Sequence, residues 1–471
     1  MFPGLASEPR SVVSFDPDLI RKYDQSGPRY TSYPTADRFT VAFTAKDFVQ
    51  ALAARQAGPG EAPGPLSLYV HLPFCDTICY YCACNKVVTR DHSRAAKYLR
   101  YLGREIRMVA ALIEHPAPVN QLHWGGGTPT FLTPQEMTTL IAVLRDAFVF
   151  DSKPEISIEI DPRKASEATV AHLAALGFNR ISVGVQDFDP TVQRAVNRIQ
   201  SEQETRTAID AARTHGFASV NVDLIYGLPR QTRAGFAATL EKVVAASPDR
   251  IALYSYAHVP HLFKPQRSID EATLPRAEEK LSILELAIDT LTGAGYVYIG
   301  MDHFAKPGDE LAVAQRRGEL QRNFQGYSTH ADCDLLSFGI SAIGKIGRSY
   351  SQNVRTLDEY YARLDANMLP IMRGATLDVD DVVRRNVIQR LMCDFALDCA
   401  AIESAHGIRF SEYFGAEREA LEGLAADGLV ELAQDAIRVT QRGRLLVRTV
   451  AMVFDRYLRE QRERSRYSRV I

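Results

Sequence analysis

The sequence predicts an α/β fold of parallel strands, with a (β/α) barrel or partial barrel as the first choice. Short runs of β-type residues alternate with amphipathic helical stretches from residue 66 onward, and this repetition requires parallel strands covered by helices. Unusual residues repeatedly follow the ends of these runs, where the active site of a (β/α) barrel lies. A doubly wound open sheet is the alternative that the same repeats allow.

Six runs of alternating or continuous apolar residues are predicted to be strands. They are LSLYVHL (66–72), QLHWG (121–125), EISIEI (155–160), RISVGV (180–185), SVNVDLIY (219–226) and RIALYSYA (250–257). Apolar residues at helical spacing predict helices over 93–113, 134–147, 203–215 and 234–245.

The chain divides into three parts by composition. The turn-rich segment GPGEAPGP (58–65) is typical of a linker, so we expect an N-terminal arm over 1–60 and the barrel over 61–370. After residue 370 helical patterns dominate, and we expect a mainly helical domain over 371–471. A helix, a hairpin closed near Gln434 and Asp435 and a further helix resemble a winged helix. Because no basic stripe accompanies it, this domain is predicted to cap an enzyme rather than bind DNA.

Composition and charge exclude several classes of protein. The chain has 471 residues with 46% hydrophobic and 24% charged side chains, which is enough apolar mass for a large core and a second module. Its formal net charge is −2, so it has no global basic field for nucleic acid or an anionic membrane. No apolar stretch approaches the roughly 18 residues that a membrane span requires. We therefore expect a cytoplasmic protein with neither nucleic acid nor membrane among its partners.

Four of the seven cysteines lie within ten residues, in CDTICYYCAC (75–84). Cys75, Cys79 and Cys82 form a C-x3-C-x2-C pattern directly after a predicted strand. Three thiolates would hold three irons of an iron–sulfur cluster and leave a fourth iron open to a small molecule. A zinc site that adds Cys84 is the alternative, although zinc sites usually pair two separated ligand knuckles. Three interpretations of Cys84 stay open: an extra ligand, a redox participant or a buried small residue. Cys333, Cys393 and Cys399 are expected in the core.

Polar and glycine residues follow the other predicted strands. The glycines of HWGGGTPT (123–130) would let the main chain approach a ligand with its amides pointing outward, so Gly126, Gly127 and Thr128 are candidate ligand contacts. A carboxylate facing a barrel lumen is costly unless it is paired, so Glu159 would hold a ligand ammonium group or form a structural salt bridge. Three further polar residues complete the set: Gln186, Arg198, which suits a carboxylate, and Asp223, which suits a ribose hydroxyl.

Several segments together resemble the oxygen-independent coproporphyrinogen III oxidases, a family of radical S-adenosylmethionine (SAM) enzymes in haem biosynthesis. The resemblance runs from about residue 20 to the end of the chain. It is carried by SGPRYTSYPT (26–35), YVHLPFCDTICYYCACNK (69–86), QLHWGGGTPT, DPRK, GFNRISVGVQDF (177–188), NVDLIYGLPRQT (221–232), GMDHFAKPGDELA (300–312) and RNFQGYSTH (322–330).

The resemblance implies a partial (β/α)6 TIM-like barrel with the arm and the winged-helix-like domain, a [4Fe–4S] cluster and two SAM molecules. It places the cluster on Cys75, Cys79 and Cys82, and catalytic roles on Cys84 and Glu159. The common phenylalanine of the family before the last cluster cysteine is Tyr81 here, which keeps the aromatic ring. The implied SAM contacts are Tyr69, Tyr81, Gly126, Gly127, Thr128, Glu159, Gln186, Arg198, Asp223, Ala257, Phe324, Gln325 and Ile343.

The implied activity is oxidative decarboxylation of two propionates of coproporphyrinogen III to vinyl groups, giving protoporphyrinogen IX by way of a 5′-deoxyadenosyl radical. The resemblance further implies an electron donor such as flavodoxin or ferredoxin and an electron acceptor that no motif identifies, and we expect a monomer. A haem chaperone of the same superfamily is the alternative. These chaperones typically lack the long arm and the cysteine after the triplet, both of which are present here, so the enzyme is favoured.

The four propionates of that substrate require local cations, because a net charge of −2 cannot attract them. The segment SGPRYTSYPT lies outside the predicted barrel and carries Arg29. We expect it to fold over the barrel mouth as a lid whose arginine meets a propionate, with a strap packed on the surface as the alternative.

Overall fold

The computed structural model describes residues 13–55, 63–330 and 333–460, with side chains described as far as Leu458. Most of the predicted linker, including the boundary expected at residue 60, lies outside these residues. Among the described helices, none has the length and apolar character needed to cross a bilayer.

Helices and strands alternate through the middle of the chain, as the sequence predicts. The helices are α1 (Pro17–Tyr23), α2 (Ala45–Ala54), α3 (Ser93–Ala110), α4 (Pro134–Ala147), α5 (Glu167–Ala175), α6 (Pro190–Ala195), α7 (Glu202–Thr214), α8 (Arg233–Ala246), α9 (Ala277–Gly293), α10 (Glu310–Arg317), α11 (Leu357–Asp365), α12 (Val379–Asp394), α13 (Cys399–His406), α14 (Phe410–Tyr413), α15 (Gly415–Ala426), α16 (Val447–Met452) and α17 (Arg456–Glu460). The strands are β1 (Leu66–Leu72), β2 (Phe74–Cys75), β3 (Val87–Val88), β4 (Val119–Gly126), β5 (Phe150–Ile160), β6 (Arg180–Gln186), β7 (Ser219–Tyr226), β8 (Arg250–Ser255), β9 (Val297–Gly300), β10 (His303–Ala305), β11 (Gln321–Asn323), β12 (Gly326–Ser328), β13 (Asp334–Phe338), β14 (Ile343–Ile346), β15 (Ser349–Asn353), β16 (Ile371–Thr376), β17 (Ala396–Asp398), β18 (Val430–Leu432) and β19 (Ala436–Val439).

The six predicted strands form the centre of one sheet, and the partial barrel is confirmed. Strands β1, β4, β5, β6, β7 and β8 lie side by side in parallel. The sheet has 12 strands in the order β16-β15-β14-β13-β1-β4-β5-β6-β7-β8-β10-β9. The strands beyond β1 and β8 were not predicted, because they are short and lack a long alternating pattern. Of these, β13 runs parallel to β1, whereas the outer strands pair antiparallel.

Alternation along each strand separates the core from the barrel lumen. In β1, Leu68 and Val70 are fully buried in the apolar core, while Tyr69 and His71 lie on the opposite face of the strand. The strand register brings Tyr69 beside His123 of β4, and His123 beside Ser157 of β5. Polar side chains of adjacent strands therefore form layers across the lumen.

The predicted helices begin at local capping sequences. At α4, Thr133 Oγ1 accepts from the Glu136 amide at 3.3 Å while Glu136 Oε2 accepts from the Thr133 amide at 2.8 Å. Ser201 and Glu204 make the same reciprocal pair at α7. Such capping boxes satisfy amides that the first helical turn leaves unpaired, which fixes where the crossover helices start.

The chain after β16 forms a mainly helical C-terminal part with a small sheet. The hairpin β18–β19 closes around Gln434 and Asp435 at the predicted place, between α15 and α16. Strand β17 pairs with β19 as a third strand. Strand β16 still pairs with β15 of the large sheet, so the sheet ends at Thr376 rather than at the expected boundary of 370.

The N-terminal arm is fixed to the C-terminal part. Arg448 of α16 donates to the carbonyls of Gly27 and Pro28, and Tyr30 donates to Asp455 at 3.0 Å. Tyr30 and Tyr33 are buried at 2% and 1% exposure. The arm therefore packs tightly against the C-terminal part, while its role as a lid over the barrel mouth stays a prediction.

Candidate active site

The cysteine loop lies at the C-terminal end of β1. Cys75 ends β2, whose parallel pairing with β3 brings the two ends of the loop together. The loop thiols contact side chains from two other elements. Thr128 donates to Cys75 Sγ at 3.4 Å and Arg198 Nη1 donates to Cys79 Sγ at 3.7 Å. Cys75, Cys79 and Cys82 are half-buried and Cys84 is exposed.

Among the described residues, no group of three His, Cys, Asp or Glu side chains is arranged to hold a single metal ion. In an iron–sulfur cluster each thiolate binds a different iron, whereas the ligands of a zinc site share one ion. Cys333, Cys393 and Cys399 are buried, as expected.

The glycine segment after β4 crosses the end of β1, and close packing requires its glycines. Gly126 has φ +115°, and a Cβ there would lie 2.6 Å from the His71 ring; a Cβ on Gly127 would lie 2.6 Å from the Pro73 backbone. The expectation that the amides point outward is wrong. The Gly127 and Thr128 amides donate to the carbonyls of Leu72 and Phe74, both at 2.8 Å, because the segment is hydrogen-bonded to the chain after β1. Main-chain carbonyls, which suit an ammonium group, are what this segment has to offer a ligand.

Glu159 lies in the lumen at the end of β5. Its Oε2 accepts from the Gly126 amide at 3.2 Å, and its Oε1 lies 3.5 Å from His123 Nε2. Burial acts to raise the pKa of Glu159, but the His123 interactions and the Gly126 amide outweigh it and lower the pKa. Among the described residues, no Lys or Arg forms an ion pair with Glu159, which argues against the salt-bridge alternative. Its side chain retains 46% exposure and can reach a ligand in the lumen.

Asp223 of β7 belongs to a polar layer with Ser182 and Asn221. It accepts from Ser182 Oγ at 2.9 Å and from Asn221 Nδ2 at 2.8 Å. Burial, followed by the nearby Glu159 charge, raises the pKa of Asp223 to about 6. The carboxylate is therefore held in place next to the lumen, and nearby positive charge does not offset the effect of burial on its pKa.

Three of the predicted SAM contacts carry buried polar atoms that have no hydrogen-bond partner among the described residues. These are Oε1 of Gln186, Nε of Arg198 and Nε2 of Gln325. Gln186 is at φ +68°, so its conformation is strained. Arg198 also donates to Asp161 at 3.2 Å and to the Gly184 carbonyl at 2.6 Å, so the carboxylate expected for it is already supplied by the protein. Unsatisfied buried groups cost stability unless a ligand pairs with them.

The other predicted contacts come from distant parts of the chain. Tyr69 stacks on His123 with ring centroids 5.9 Å apart, and the Tyr81 ring packs in a small apolar cluster with Val192 and Tyr256. Ala257 follows β8, and Phe324 and Gln325 form the turn of the hairpin β11–β12. Ile343 begins β14.

Sequence reasoning missed two lumen histidines. His71 donates from Nε2 to the Asn85 carbonyl at 2.9 Å and accepts at Nδ1 from Tyr69 at 3.0 Å. Burial lowers the pKa of His71. His123 contacts Ser157 Oγ at 2.6 Å through Nδ1. Their alternation with apolar residues in YVHL and QLHW was the available signal, since every second residue of a barrel strand faces the lumen.

A cavity of about 330 Å³ lies at the mouth of the barrel beside the arm. Its lining includes Arg29, Lys280, Arg448 and Asp302. Arg29 forms an ion pair with Asp302, and 34% of its side chain is exposed. Burial and the nearby Arg322 charge lower the pKa of Arg29 to about 10, so it remains a cation at neutral pH. The arm thus places a cation at the barrel mouth, but one that already has a carboxylate partner.

Comparison with known proteins gives consistent results. The Radical SAM superfamily matches residues 69–243 and the HemN C-terminal domain matches residues 377–446. The chain is 52% identical over 463 residues to the oxygen-independent coproporphyrinogen III oxidase of Pseudomonas aeruginosa, and 50% identical over 459 residues to that of Salmonella typhimurium. Each alignment covers 98% of this chain and 99% of the relative. The solved structure of Escherichia coli coproporphyrinogen III oxidase (HemN), a radical SAM enzyme, superposes with a TM-score of 0.90 at 48% identity, over 95% of this chain and 100% of that chain.

Proposed function

Since the chain belongs to the oxygen-independent coproporphyrinogen III oxidases, we propose that the cysteine loop and the barrel lumen form its active site. The protein is a radical SAM enzyme of haem biosynthesis that uses a [4Fe–4S] cluster and SAM. It oxidatively decarboxylates two propionate side chains of coproporphyrinogen III without oxygen. A haem chaperone is not favoured, because relatives named as oxidases match 98% of the chain.

The cluster is held by Cys75, Cys79 and Cys82. The thiol contacts of Thr128 and Arg198 support this assignment, because both donate to sulfur from outside the loop. Hydrogen bonds of this kind stabilise thiolate charge on a cluster. Cys84 is exposed and outside the triplet, so we assign it no ligand role and keep it as a catalytic candidate.

The residues predicted from the resemblance would hold SAM next to the cysteine loop. Glu159 and the carbonyls of the segment Gly126–Thr128 accept from the methionine ammonium group, and Asp223 accepts from a ribose hydroxyl. The aromatic rings of Tyr69 and Tyr81 line the site. The observation that carries the assignment is the set of unpartnered polar atoms on Gln186, Arg198 and Gln325. A bound ligand with donors and acceptors would pair with them.

Two SAM molecules occupy the site in this proposal. Gln186 and Arg198 both lie against Gly184 of β6, whereas Gln325 lies on the hairpin β11–β12 and Ile343 on β14. Ala257 follows β8. Among the described residues, unpartnered atoms thus occur at two separate elements, next to β6 and in the turn of β11–β12, which supports two ligands rather than one.

When bound, the cluster and SAM supply one electron and a 5′-deoxyadenosyl radical, which breaks an unactivated C–H bond that no side chain can attack. Loss of the β-hydrogen from a propionate, of carbon dioxide and of one electron leaves the vinyl group. No protein base is needed at that carbon. The chain therefore contributes orientation of substrate and SAM, exclusion of competing reactions and cations for the carboxylates. The proposal further includes a flavodoxin or ferredoxin as electron donor and a separate electron acceptor. The protein acts as a monomer, with no nucleic acid or membrane partner. The division into arm, barrel and C-terminal domain stays a prediction.

The decisive experiment is anaerobic reconstitution with iron and sulfide, followed by incubation with SAM, dithionite and coproporphyrinogen III. We expect a product with two vinyl groups, together with methionine and 5′-deoxyadenosine. Cleavage of SAM without any change in the porphyrinogen would contradict the proposed function. Stable haem binding without conversion would favour the chaperone.

A further inference from the structure

A second cavity, of about 220 Å³, lies beside the N-terminal arm at Thr31. It is bounded by the hairpin β11–β12, strands β13 to β15 and helix α12. Its lining includes Arg322, Lys345, Arg385 and Arg390 and contains no aspartate or glutamate among the described residues. Four cationic side chains around one cavity imply a ligand of negative charge.

Three of these cations lack an ionic partner in the described part of the chain. Arg390 is paired with Asp394 at 2.8 Å, but Arg322, Lys345 and Arg385 form no ion pair with any described carboxylate. The nearby carboxylates have other partners: Asp334 pairs with Arg55 at 2.9 Å and Glu155 lies 3.6 Å from His330. Among the described residues, no carboxylate therefore forms an ion pair with Arg322, Lys345 or Arg385.

Two of the unpaired cations are held where they would meet a ligand. Arg322 is buried to 3% exposure, and within the described part of the chain its Nη1 has no hydrogen-bond partner. Burial, followed by the Arg385 charge, lowers the pKa of Lys345, while the Asp334 charge opposes this shift. Burying charge in this way is costly unless a counter-ion binds.

The second cavity adjoins the proposed active site through the arm. Arg29 lines the first cavity and Thr31 lines the second, so this stretch of the arm touches both. Arg322 Nε donates to the Arg29 carbonyl at 3.2 Å. Phe324, a proposed SAM contact, also lines the second cavity.

We propose that the second cavity binds a carboxylate of the porphyrinogen, with Lys345, Arg385 and Arg322 as its anchors. This inference rests on the proposed function. The carboxylate of SAM is the other source of this chemistry. Because SAM also carries an ammonium and a sulfonium group, its net charge is positive, and the cationic part of the cavity favours the porphyrinogen over it. The porphyrinogen has four carboxylates and no cation, so it matches the three unpaired cations.

The test measures reconstituted holoenzyme for Lys345→Met, Lys345→Arg and Arg385→Gln. We expect Lys345→Met and Arg385→Gln each to raise the KM for coproporphyrinogen about tenfold, the effect of losing one charge-assisted hydrogen bond. Lys345→Arg keeps the charge and should stay within about twofold of wild type. The control Arg317→Gln makes the same change in net charge on an exposed side chain (66%) outside the cavity and should leave the KM unchanged.

A binding measurement separates anchoring from catalysis. Fluorescence titration with coproporphyrin III, the stable oxidised form, should show the same tenfold rise in dissociation constant for Lys345→Met, while the KM for SAM is unchanged. An unchanged affinity for coproporphyrin, or a rise in the KM for SAM alone, would overturn the proposal in an active wild-type enzyme. A wild type that cleaves SAM but never converts the porphyrinogen would instead contradict the proposed function.

Discussion

Replacement of Arg29 by methionine tests whether the arm contributes to substrate binding. The backbone around Arg29 is held independently of its side chain, by Arg448 at the Gly27 and Pro28 carbonyls and by Arg322 at its own carbonyl. The substitution should therefore remove a cation from the barrel mouth without displacing the arm. Deletion of residues 1–35 is a poorer test, because it would uncover the surface against which Tyr30 and Tyr33 are buried.

Two free energies change in Arg29→Met. The side chain of Asp302, which is 9% exposed, loses its ionic partner, while Arg29 itself is 34% exposed. The cost in unfolding free energy therefore lies between those of surface and buried ion pairs, about 1–3 kcal/mol. Loss of one charge-assisted hydrogen bond to a propionate costs about 1.5–3 kcal/mol, which lowers kcat/KM for coproporphyrinogen roughly 10- to 150-fold.

The assay compares porphyrinogen turnover with SAM cleavage in the absence of porphyrinogen. We expect Arg29→Met to lower porphyrinogen turnover and to leave SAM cleavage unchanged. The double variant Arg29→Met/Asp302→Asn removes the unpaired carboxylate, so it should recover thermal stability but not kcat/KM. Wild-type kcat/KM in the double variant would refute the role of Arg29 in substrate binding and leave the arm as a purely structural strap.

Three further predictions follow from individual side chains. Substitution of any one of the three motif cysteines by serine should abolish the brown chromophore and the full iron content, whereas Cys84→Ser should retain both; loss of the cluster in Cys84→Ser alone would show that the ligand set is wrong. Asp223 has a pKa of about 6, and its carboxylate is a stronger hydrogen-bond acceptor than the neutral acid. The KM for SAM should therefore rise several-fold as the pH falls from 7 to 5, and a wild-type pH profile in Asp223→Asn would contradict this assignment. Burial raises the pKa of Glu105 to about 7 against the hydrogen bonds of Tyr360, Gly339 and Asn353; its folded form therefore binds a proton more tightly than the unfolded form. The protonated Glu105 should contribute about 3 kcal/mol to the free energy of unfolding below pH 4.5, and this contribution should be lost as the pH rises through 7. Urea unfolding should detect this pH dependence in wild type and not in Glu105→Gln.

The sequence alone predicted the barrel and the cysteine loop, because both depend on patterns between near neighbours. Alternation in LSLYVHL or EISIEI separates a lumen face from a core face within one strand, and cysteine spacing is a property of one short loop. The capping sequences before α4 and α7 act within a single helical turn. Such signals can be recognised in the sequence without knowing what each segment packs against.

The tertiary structure decided what depends on segments distant in the chain. The direction of the Gly127 and Thr128 amides follows from packing against the chain after β1, which no local pattern encodes. Pairing of Arg29 with Asp302 brings together residues 273 positions apart. The cationic cavity likewise collects Arg322, Lys345 and Arg385 from a hairpin, a strand and a helix. Each of these residues is an ordinary cation in the sequence, and only the fold brings the three together and leaves them without an ion pair among the described residues.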